Sequence, residues 1–477
     1  MINQKEKMDT ICAIATPAGG ALGIIRVSGP EAITAADRIF RPRVGAPLSQ
    51  RAASSLTFGN VVAPQTDEAI DEVLVSLFRA PHSYTGEDSV EFSCHGSYYI
   101  LNKVVELLLA QGCRMARPGE YTERAFLNGK MDLSQAEAVA DLIASTTEAN
   151  HRMAMQQMRG GFSKELRTLR DQLLHITSLL ELELDFSDHE ELEFASRPEL
   201  LALAERIRNH ISTLCQSFRL GNALKRGVPV ALVGETNAGK STLLNALVGE
   251  ERALVSNVHG TTRDTIEEIV NVGGTLVRFI DTAGIRETSD TVERMGIERT
   301  FDKMAEADIV LWLIDLTAYQ AQYDELAEKI GAQVQGKQLV VLLNKTDLVS
   351  ESTINEAKQY ISGQLNNAVP TPMLLTLSAQ SGSGLDQLKQ LLAASLSTLQ
   401  AENNSTGTIV SNLRHYEALS AALAATDRVI EGLHQGLSGD FVSQDLRECI
   451  YHLSDIVGEV TTDQVLGNIF KHFCVGK

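Results

Sequence analysis

The chain has 477 residues, 44% hydrophobic and 22% charged, which is ordinary globular composition with enough length for two to four domains. Its formal net charge is −19, and residues 1–120 hold 11 Lys and Arg against 13 Asp and Glu; this excludes a domain-wide basic surface and leaves any nucleic-acid contact local or shared. Six cysteines (12, 94, 113, 215, 449 and 474) form no C-x-x-C pair and no Cys/His zinc spacing, so reduced thiols are expected and a disulfide scaffold is excluded.

The opening stretch MINQKEKMDTICAIATPAGG lacks the apolar core of a signal peptide, and no run reaches the length of a membrane span; a soluble cytoplasmic protein is expected. Residues 10–120 mix strand-like runs (ICAIATP, LGIIRVSG, VLVSLFRA, VEFSCHG) with helical patterns at 30–40 and 97–111, a small α/β domain of mixed strands bounded at 1–122. From Ser134, paired with Glu137 in an S-x-x-E capping box, the spacing turns helical to about Leu184, with a kink expected at Gly160-Gly161. This opens a helical domain, 123–224. The acidic stretch ELELDFSDHEELEF (181–194) reads as a helix end and a connection without chemistry.

From Val228 to about Ser397 the runs VPVALVG, TLVRFID, IVLWLID, LVVLLN and MLLTLS each precede a helix candidate. That alternation predicts a doubly wound, mostly parallel sheet in a domain at 225–400. QAENNSTGTIVSN (400–412) reads as a linker, and helices return at 412–435 and 443–458 in a second helical part, 401–477. A last helix near 462–473 aligns Val465, Leu466, Ile469, Phe470 and Phe473 on one face. Packed by that face, it would hold Cys474-Val475-Gly476-Lys477 in place instead of letting them fray.

Gly234-Glu235-Thr236-Asn237-Ala238-Gly239-Lys240-Ser241 fits G-x-x-x-x-G-K-[ST] between a strand and a helix. Its glycines let backbone N–H groups converge on phosphates, Lys240 bridges the outer phosphates, Ser241 ligates magnesium and Thr242 follows in the same turn. GTTRD (260–264), DTAG (281–284) and NKTD (344–347) come next in order. Asp347 is placed to accept hydrogen bonds from the N1–H and 2-amino edge of guanine, Asn344 to meet its O6/N7 side beside Lys345, and Ser378-Ala379 to offer a backbone N–H to O6. The nucleotide read here is GTP. Thr262 would complete the magnesium shell, and Asp281, with Thr282, Ala283 and Gly284 after it, would hold magnesium through water. Ile285 stands where Ras-like enzymes place a water-orienting glutamine and moves no proton. Glu293 is therefore the candidate to orient water, weighed against a solvated helix carboxylate, and a monovalent cation could supply the charge of an arginine finger.

LGIIRVSG, TGED (85–88), RPGEYTERAFLNGKMDLSQAEAVADLI (117–143), NAGKS, GTTRD and CVGK together resemble the MnmE (TrmE) family of GTPases that modify the wobble uridine of transfer RNA, over nearly the whole chain. The resemblance implies an N-terminal α/β folate-binding and dimerisation domain, a helical domain in two sequence segments, and an inserted Ras-like P-loop GTPase domain. It implies that Arg26, Glu91, Lys130 and, from the chain end, Lys477 contact 5-formyl- or 5,10-methylene-tetrahydrofolate, with Cys474 close to the transfer chemistry. Potassium held by Asn237, Ser256, Val258 and Thr261 would replace the arginine finger, and Glu293 would aid hydrolysis. The implied reaction adds an aminomethyl or carboxymethylaminomethyl group to uridine C5. It is performed by a homodimer with an MnmG-type flavoprotein that carries the FAD in a heterotetramer.

Two competing readings stand beside it. A GTP-driven RNA or ribosome-assembly switch without covalent chemistry would ordinarily bring a basic RNA-binding module, and no G-x-x-G loop comes after the GTPase here. A folate-dependent aminomethyl transferase of small molecules would have no need of the GTPase. His82 and His95 read as structural.

Overall fold

The computed structural model describes residues 9–185, 196–250, 268–280, 304–365, 373–402, 408–460, 462–471 and 473–476. They divide into two units, one of residues 1–140, 156–170 and 453–477, the other of 141–155 and 171–452.

The first unit begins with β1 (Ile11–Ile14), β2 (Leu22–Ser28), α1 (Ala32–Ile39), β3 (Phe40–Pro42), β4 (Ser55–Val62), β5 (Ala69–Phe78), β6 (Ser89–His95), α2 (Tyr98–Ala110), β7 (Arg114–Met115) and α3 (Glu120–Leu127). The strands form one sheet in the order β3-β4-β5-β6-β2-β1-β7, antiparallel except where β1 meets β7. The mixed strands expected from the sequence are present, and β3, β4 and β7 add to the four runs read there. In β4 apolar residues face both ways, so its period of two is muted: Leu56 and Phe58 are exposed while Thr57, Gly59 and Val61 are buried. One face of the sheet sends Ile25, Val27, Val75, Val90 and Phe92 into a core with Ile33, Ala36 and Ile39 of α1 and Leu101, Val104 and Leu108 of α2. Each large aliphatic or aromatic side chain buried there contributes about 1.5–3 kcal/mol. On the other face α3 lays Tyr121 over Ile11 and Ala13, while Leu56, Phe58 and Leu74 remain 62%, 40% and 41% exposed.

A buried ionic cluster fixes α3. Glu120, 2% exposed, accepts from Arg114 at 2.6 and 3.0 Å, from Arg124 at 3.0 Å and from the Arg117 backbone N–H at 2.8 Å. Arg124 also reaches Asp9 at 2.6 Å and Glu87 at 3.2 Å, and Ser28 donates to Glu87 at 2.8 Å. The TGED loop, the chain start and α3 are thus tied to one another and to β2.

Beyond α3 come α4 (Leu133–Ala144), α5 (Glu148–Met158), α6 (Gly161–Asp185) and α7 (Arg197–Arg226). The break at Gly160 is as expected, but a second one at 145–147 divides the long helix read from the sequence. The capping box also shifts by two residues. Asp132 accepts from the Gln135 N–H at 3.0 Å and Gln135 returns the bond to the Asp132 N–H at 2.9 Å, whereas the Ser134 hydroxyl is engaged by Asp132 and Ser163. Asp132 immediately precedes the first helical residue, the position from which a side chain reaches the free N–H groups, and Ser134 lies inside the helix.

The second unit continues with β8 (Val228–Val233), α8 (Lys240–Glu250), β9 (Glu268–Val272), β10 (Thr275–Ile280), β11 (Ile309–Asp315), α9 (Tyr319–Gln333), β12 (Gln338–Asn344), α10 (Glu351–Leu365), β13 (Met373–Thr376), α11 (Leu385–Glu402), α12 (Leu413–His434) and α13 (Gly439–Val457). Its sheet runs β13-β12-β11-β8-β10-β9, parallel throughout except for the edge pair β9 and β10. β9 is the strand that the sequence reading lacked, and the helix expected after β10 lies outside the described residues. Leu220, Ala223 and Leu224 of α7 share one core with Val228, Val277, Leu388 and Leu392. The Phe218 ring stacks on Tyr416 at 4.4 Å, pairing α7 with α12. The linker read at 400–412 starts later than expected, since α11 extends to Glu402.

The last helix, α14 (Asp463–Phe470), opens at Thr462, whose hydroxyl accepts from the Val465 N–H at 3.3 Å. Leu466 and Phe470, with Ile469 and Phe473, pack on Leu133, Ala136, Phe126 and Met131. The expected apolar face is therefore used, in a helix shorter than the sequence suggested.

Burial alone would raise the Glu120 carboxyl, but hydrogen bonds from Arg114, the Arg117 N–H and Arg124 outweigh it and hold the group down at about 2 against an ordinary 4.5. A depressed carboxylate contributes stability that is complete above its unfolded value and is lost as pH falls through the folded one. Glu120→Gln should therefore cost on the order of 3 kcal/mol near pH 7. The difference in melting temperature from the unsubstituted protein, tracked by circular dichroism, should narrow as pH drops below about 4.5. A gap that stays constant down to about pH 3 would count against this role.

Candidate functional site

In the second unit the parallel strands all end at one edge of the sheet, and the loops leaving that edge carry the sequence motifs. The chain leaves β8 at Gly234, crosses the phosphate-type loop and enters α8 at Lys240. Gly239 has φ +103, and a Cβ there would collide with Asn344 Nδ2, so both the turn and the close approach require glycine. Asn237 takes the left-handed conformation at φ +63. The Lys240 ammonium folds back onto the loop, donating to the Gly234 and Glu235 carbonyls at 2.6 and 2.7 Å. Ser241 and Thr242 occupy the first turn of α8, Ser241 half-buried and Thr242 exposed.

Asn344 braces two loops. Its Nδ2 donates to the Ala238 carbonyl at 2.7 Å and its Oδ1 accepts from the Ala379 N–H at 3.0 Å, with the residue 2% exposed. Both ends of the amide engage protein, so Asn344 ties the phosphate loop to the SAQ loop, and the second N–H of its Nδ2 is left for a ligand. The Ala379 N–H is used in the same bond. Ser378, 1% exposed, donates its own N–H to the Ser383 carbonyl at 2.9 Å and shapes this loop. Asp347 stands exposed on the turn just past Lys345, with its carboxylate available to a ligand.

Sequence reasoning missed Asp315, the last residue of β11, whose register partner is Asn344. Its Oδ2 meets the Lys345 ammonium at 2.5 Å, and its Oδ1 accepts from the Thr317 N–H and hydroxyl at 2.9 and 2.8 Å. Burial would raise this carboxyl, but the bonds from Lys345 and Thr317 hold it below its ordinary value. A strand-terminal Asp three residues after a lone Trp carries no motif, which is why it escaped notice. Ser256, Val258, Thr261, Thr262, Asp281, Thr282, Ala283, Gly284 and Glu293 lie outside the described residues. Among the described residues no group of three or more His, Cys, Asp or Glu gathers as a metal site.

The first unit holds a second candidate site. Arg26 of β2 and Glu91 of β6 face each other in register, with Nε donating to Oε1 at 2.8 Å and the side chains 19% and 26% exposed. The Arg26 guanidinium lies 5.6 Å from the Tyr84 ring and 5.5 Å from the Tyr121 ring. Tyr121 donates its hydroxyl to the Arg26 carbonyl at 2.8 Å, and Tyr84 shares a 2.9 Å bond with Thr122. Burial pushes both phenols above their ordinary range, so both rings are neutral at physiological pH. Neither tyrosine was singled out from sequence, although both lie in or beside quoted stretches. Lys130 turns back and donates to the Pro81 carbonyl at 2.9 Å, and Asn128 donates to the Thr85 carbonyl at 2.8 Å, strapping the loop that carries Tyr84.

The chain's last described residues dock on this site. The Gly119 N–H donates to the Cys474 carbonyl at 3.3 Å, and Arg26 Nη1 donates to the Gly476 carbonyl at 3.2 Å. Gly476, at φ +92, is buried so closely that a Cβ would stand 2.8 Å from Ala15 Cα and the Ile14 carbonyl. Cys474 remains exposed, and Lys477 lies outside the described residues. His95, read as structural, is hydrogen-bonded to Asp71 at 2.6 Å.

The family model described as the GTP-binding protein TrmE N-terminus matches residues 10–130, and the MnmE helical domain matches residues 133–474. The chain is 58% identical over 470 residues to the tRNA modification GTPase MnmE of Bacteroides fragilis (strain YCH46), covering 98% of this chain and 99% of that protein. It is 56% identical over 474 residues to the protein of the same name from Parabacteroides distasonis, covering 98% and 100%. A crystal structure of Era in complex with MgGDPNP and nucleotides 1506-1542 of 16S ribosomal RNA overlaps 42% of this chain and 66% of its own, at 26% identity and a TM-score of 0.28, and adds nothing to the assignment. With both family models matched and near full-length identity above one half, the chain belongs to the MnmE (TrmE) family of tRNA modification GTPases.

Proposed function

We propose that the protein uses GTP hydrolysis to drive addition of an aminomethyl or carboxymethylaminomethyl group to C5 of the wobble uridine of transfer RNA. The observation that carries the chemical half is the Arg26–Glu91 pair with the Gly476 carbonyl seated against it.

For the nucleotide half, Asp347 accepts the N1–H and 2-amino groups of guanine, and the Gly239 loop offers its N–H groups to the phosphates. Lys240 exchanges its loop carbonyls for phosphate oxygens. Ser241 and Thr262 would hold magnesium, with Asp281 acting through water. Asn237, Ser256, Val258 and Thr261 would hold potassium, which would supply positive charge to the phosphates. Glu293 orients the attacking water.

The donor set of the first unit fits a planar hydrogen-bonding heterocycle such as tetrahydrofolate: a guanidinium and a carboxylate paired at 2.8 Å, each partly exposed, with the guanidinium flanked by aromatic rings. When bound, the folate supplies a one-carbon unit. Arg26 and Glu91 orient the ring, Lys130 and Lys477 complete the set, and the exposed Cys474 is open to the transferred group. Phe58, Leu74, Ser93 and Ile24 form one cross-strand row, and Leu56, Ser76, Glu91 and Arg26 the next, so the exposed Leu56, Phe58 and Leu74 lie on the same sheet face as this pair, with Ser76 and Ser93 between. That exposed apolar patch supports a homodimer formed through the first unit. A chain with formal charge −19 is expected to share transfer-RNA binding with a partner, here an MnmG-type flavoprotein bearing the FAD. Cytoplasmic placement accords with six unpaired thiols; among the described residues no helix is long and apolar enough to cross a membrane.

Two experiments test this reading. Asp347→Asn removes a charge-assisted acceptor pair, so GDP affinity should fall at least about 100-fold while xanthosine diphosphate binds better than before, measured by competition against a fluorescent guanine nucleotide. Gly476→Ala, or removal of Cys474 to Lys477, should weaken calorimetric binding of 5-formyltetrahydrofolate at least about tenfold, with GTP hydrolysis as the folding control. If no form binds the folate while all hydrolyse GTP, a binding-switch GTPase without covalent chemistry becomes the better account.

A further inference from the structure

Lys345 has a left-handed backbone at φ +66, a conformation that is strained for a β-carbon-bearing residue and persists only where surroundings enforce it. The Thr346 N–H donates to the Leu377 carbonyl at 3.3 Å, and two further restraints act on Lys345 itself. The Leu348 N–H donates to the Lys345 carbonyl at 3.0 Å, closing the turn Thr346–Leu348, and the Lys345 side chain crosses from the end of β12 to the end of β11, where Asp315 holds its ammonium at 2.5 Å. Asp315 is itself immobilised. It is 6% exposed, its N–H donates to Gln322 Oε1 at 2.8 Å, and its other carboxylate oxygen is occupied by Thr317. Asp347 sits on the turn so fixed, two residues beyond the strained one.

We infer that Asp315 is a positioning residue for base recognition: by anchoring Lys345 it holds the turn that aims Asp347 at the purine edge. The inference rests on the guanine reading of this site. It makes Asp315 a determinant of specificity and not only of fold. The 2-amino group of guanine is recognised by the second oxygen of the Asp347 carboxylate, and that bidentate geometry is sensitive to small rotations of the turn. Hypoxanthine has the N1–H but no 2-amino group, so recognition of it depends less on that aim.

The test is competition of GDP and IDP against a fluorescent guanine nucleotide on the full chain. In the unsubstituted protein GDP should be preferred over IDP. In Asp315→Asn, GDP affinity should fall about tenfold and the GDP-over-IDP preference should narrow at least about threefold. Lys345→Met should narrow it similarly, and the double variant no further, because both substitutions cut the same tether. Thr317→Val, which removes the hydroxyl bond to the other carboxylate oxygen and leaves the backbone N–H bond and the Lys345 tether in place, should keep the preference of the parent. An Asp315→Asn protein that folds with the parent's GDP-over-IDP ratio, or one that does not fold while Lys345→Met retains the parent's ratio, overturns the inference. A parent protein without guanine preference overturns both this inference and the nucleotide reading beneath it.

Discussion

The first unit is organised around a carboxylate that water scarcely reaches. Glu120 gathers two arginines and a backbone N–H, and through Arg124 the same cluster draws in Asp9 and Glu87. Buried charges are costly unless fully partnered, so the cluster leaves α3, the TGED loop and the chain start little freedom to shift independently. The geometry of the Arg26 site depends on that rigidity. Tyr121 lies on α3, Tyr84 on the strapped loop, and Gly119, immediately before Glu120, donates the N–H that the Cys474 carbonyl accepts.

The second unit solves a similar problem with a neutral group. Asn344 commits both ends of its amide to the backbones of two loops, and Gly239 lacks the side chain that would push them apart. Beside it Asp315 and Lys345 form a charged brace between adjacent strand ends. Loops at the edge of a parallel sheet are ordinarily the most adaptable parts of such a fold, and here three of them are cross-tied. A nucleotide would meet a surface whose main elements already stand in fixed relation, which lowers the entropy lost on binding.

Much of this was legible in the sequence because the chemistry demands particular residues at particular spacings. The phosphate loop, NKTD and SAQ are contiguous strings whose meaning depends on a strand before and a turn after, and that context is present. The alternation of strands with helices from Val228 onward pointed to the parallel sheet, and the apolar stripe of α14 to the docked tail. Features that stayed hidden depend on pairings that no string encodes. Asp132, and not Ser134, caps α4 because the helix starts at Leu133, a boundary that a local S-x-x-E pattern does not locate. The brace that Asn344 makes depends on two loops converging on it, a long-range arrangement invisible to local pattern. Tyr84 and Tyr121 flank Arg26 only because β2, α3 and the TGED loop meet in three dimensions. β4 was missed because it carries apolar residues on both faces, and β9 because it is a short edge strand with a polar residue inside it, so neither shows a clear period of two.

The division of the chain into units also has a temporal side. The first unit is assembled from residues before 141, a short helical piece, and residues after 452, whereas nearly all of the second lies between them. During synthesis the nucleotide-type unit is fully translated before α14 exists, and domains tend to fold as they emerge. The sheet of the first unit can form early, since all its strands lie between Ile11 and Met115, but Arg26 must wait for the Gly476 carbonyl across almost the entire length of the chain. A nascent protein would therefore pass through a long interval with its phosphate loop complete and its Arg26 site unfinished. Closing that site is among the last events in making the molecule.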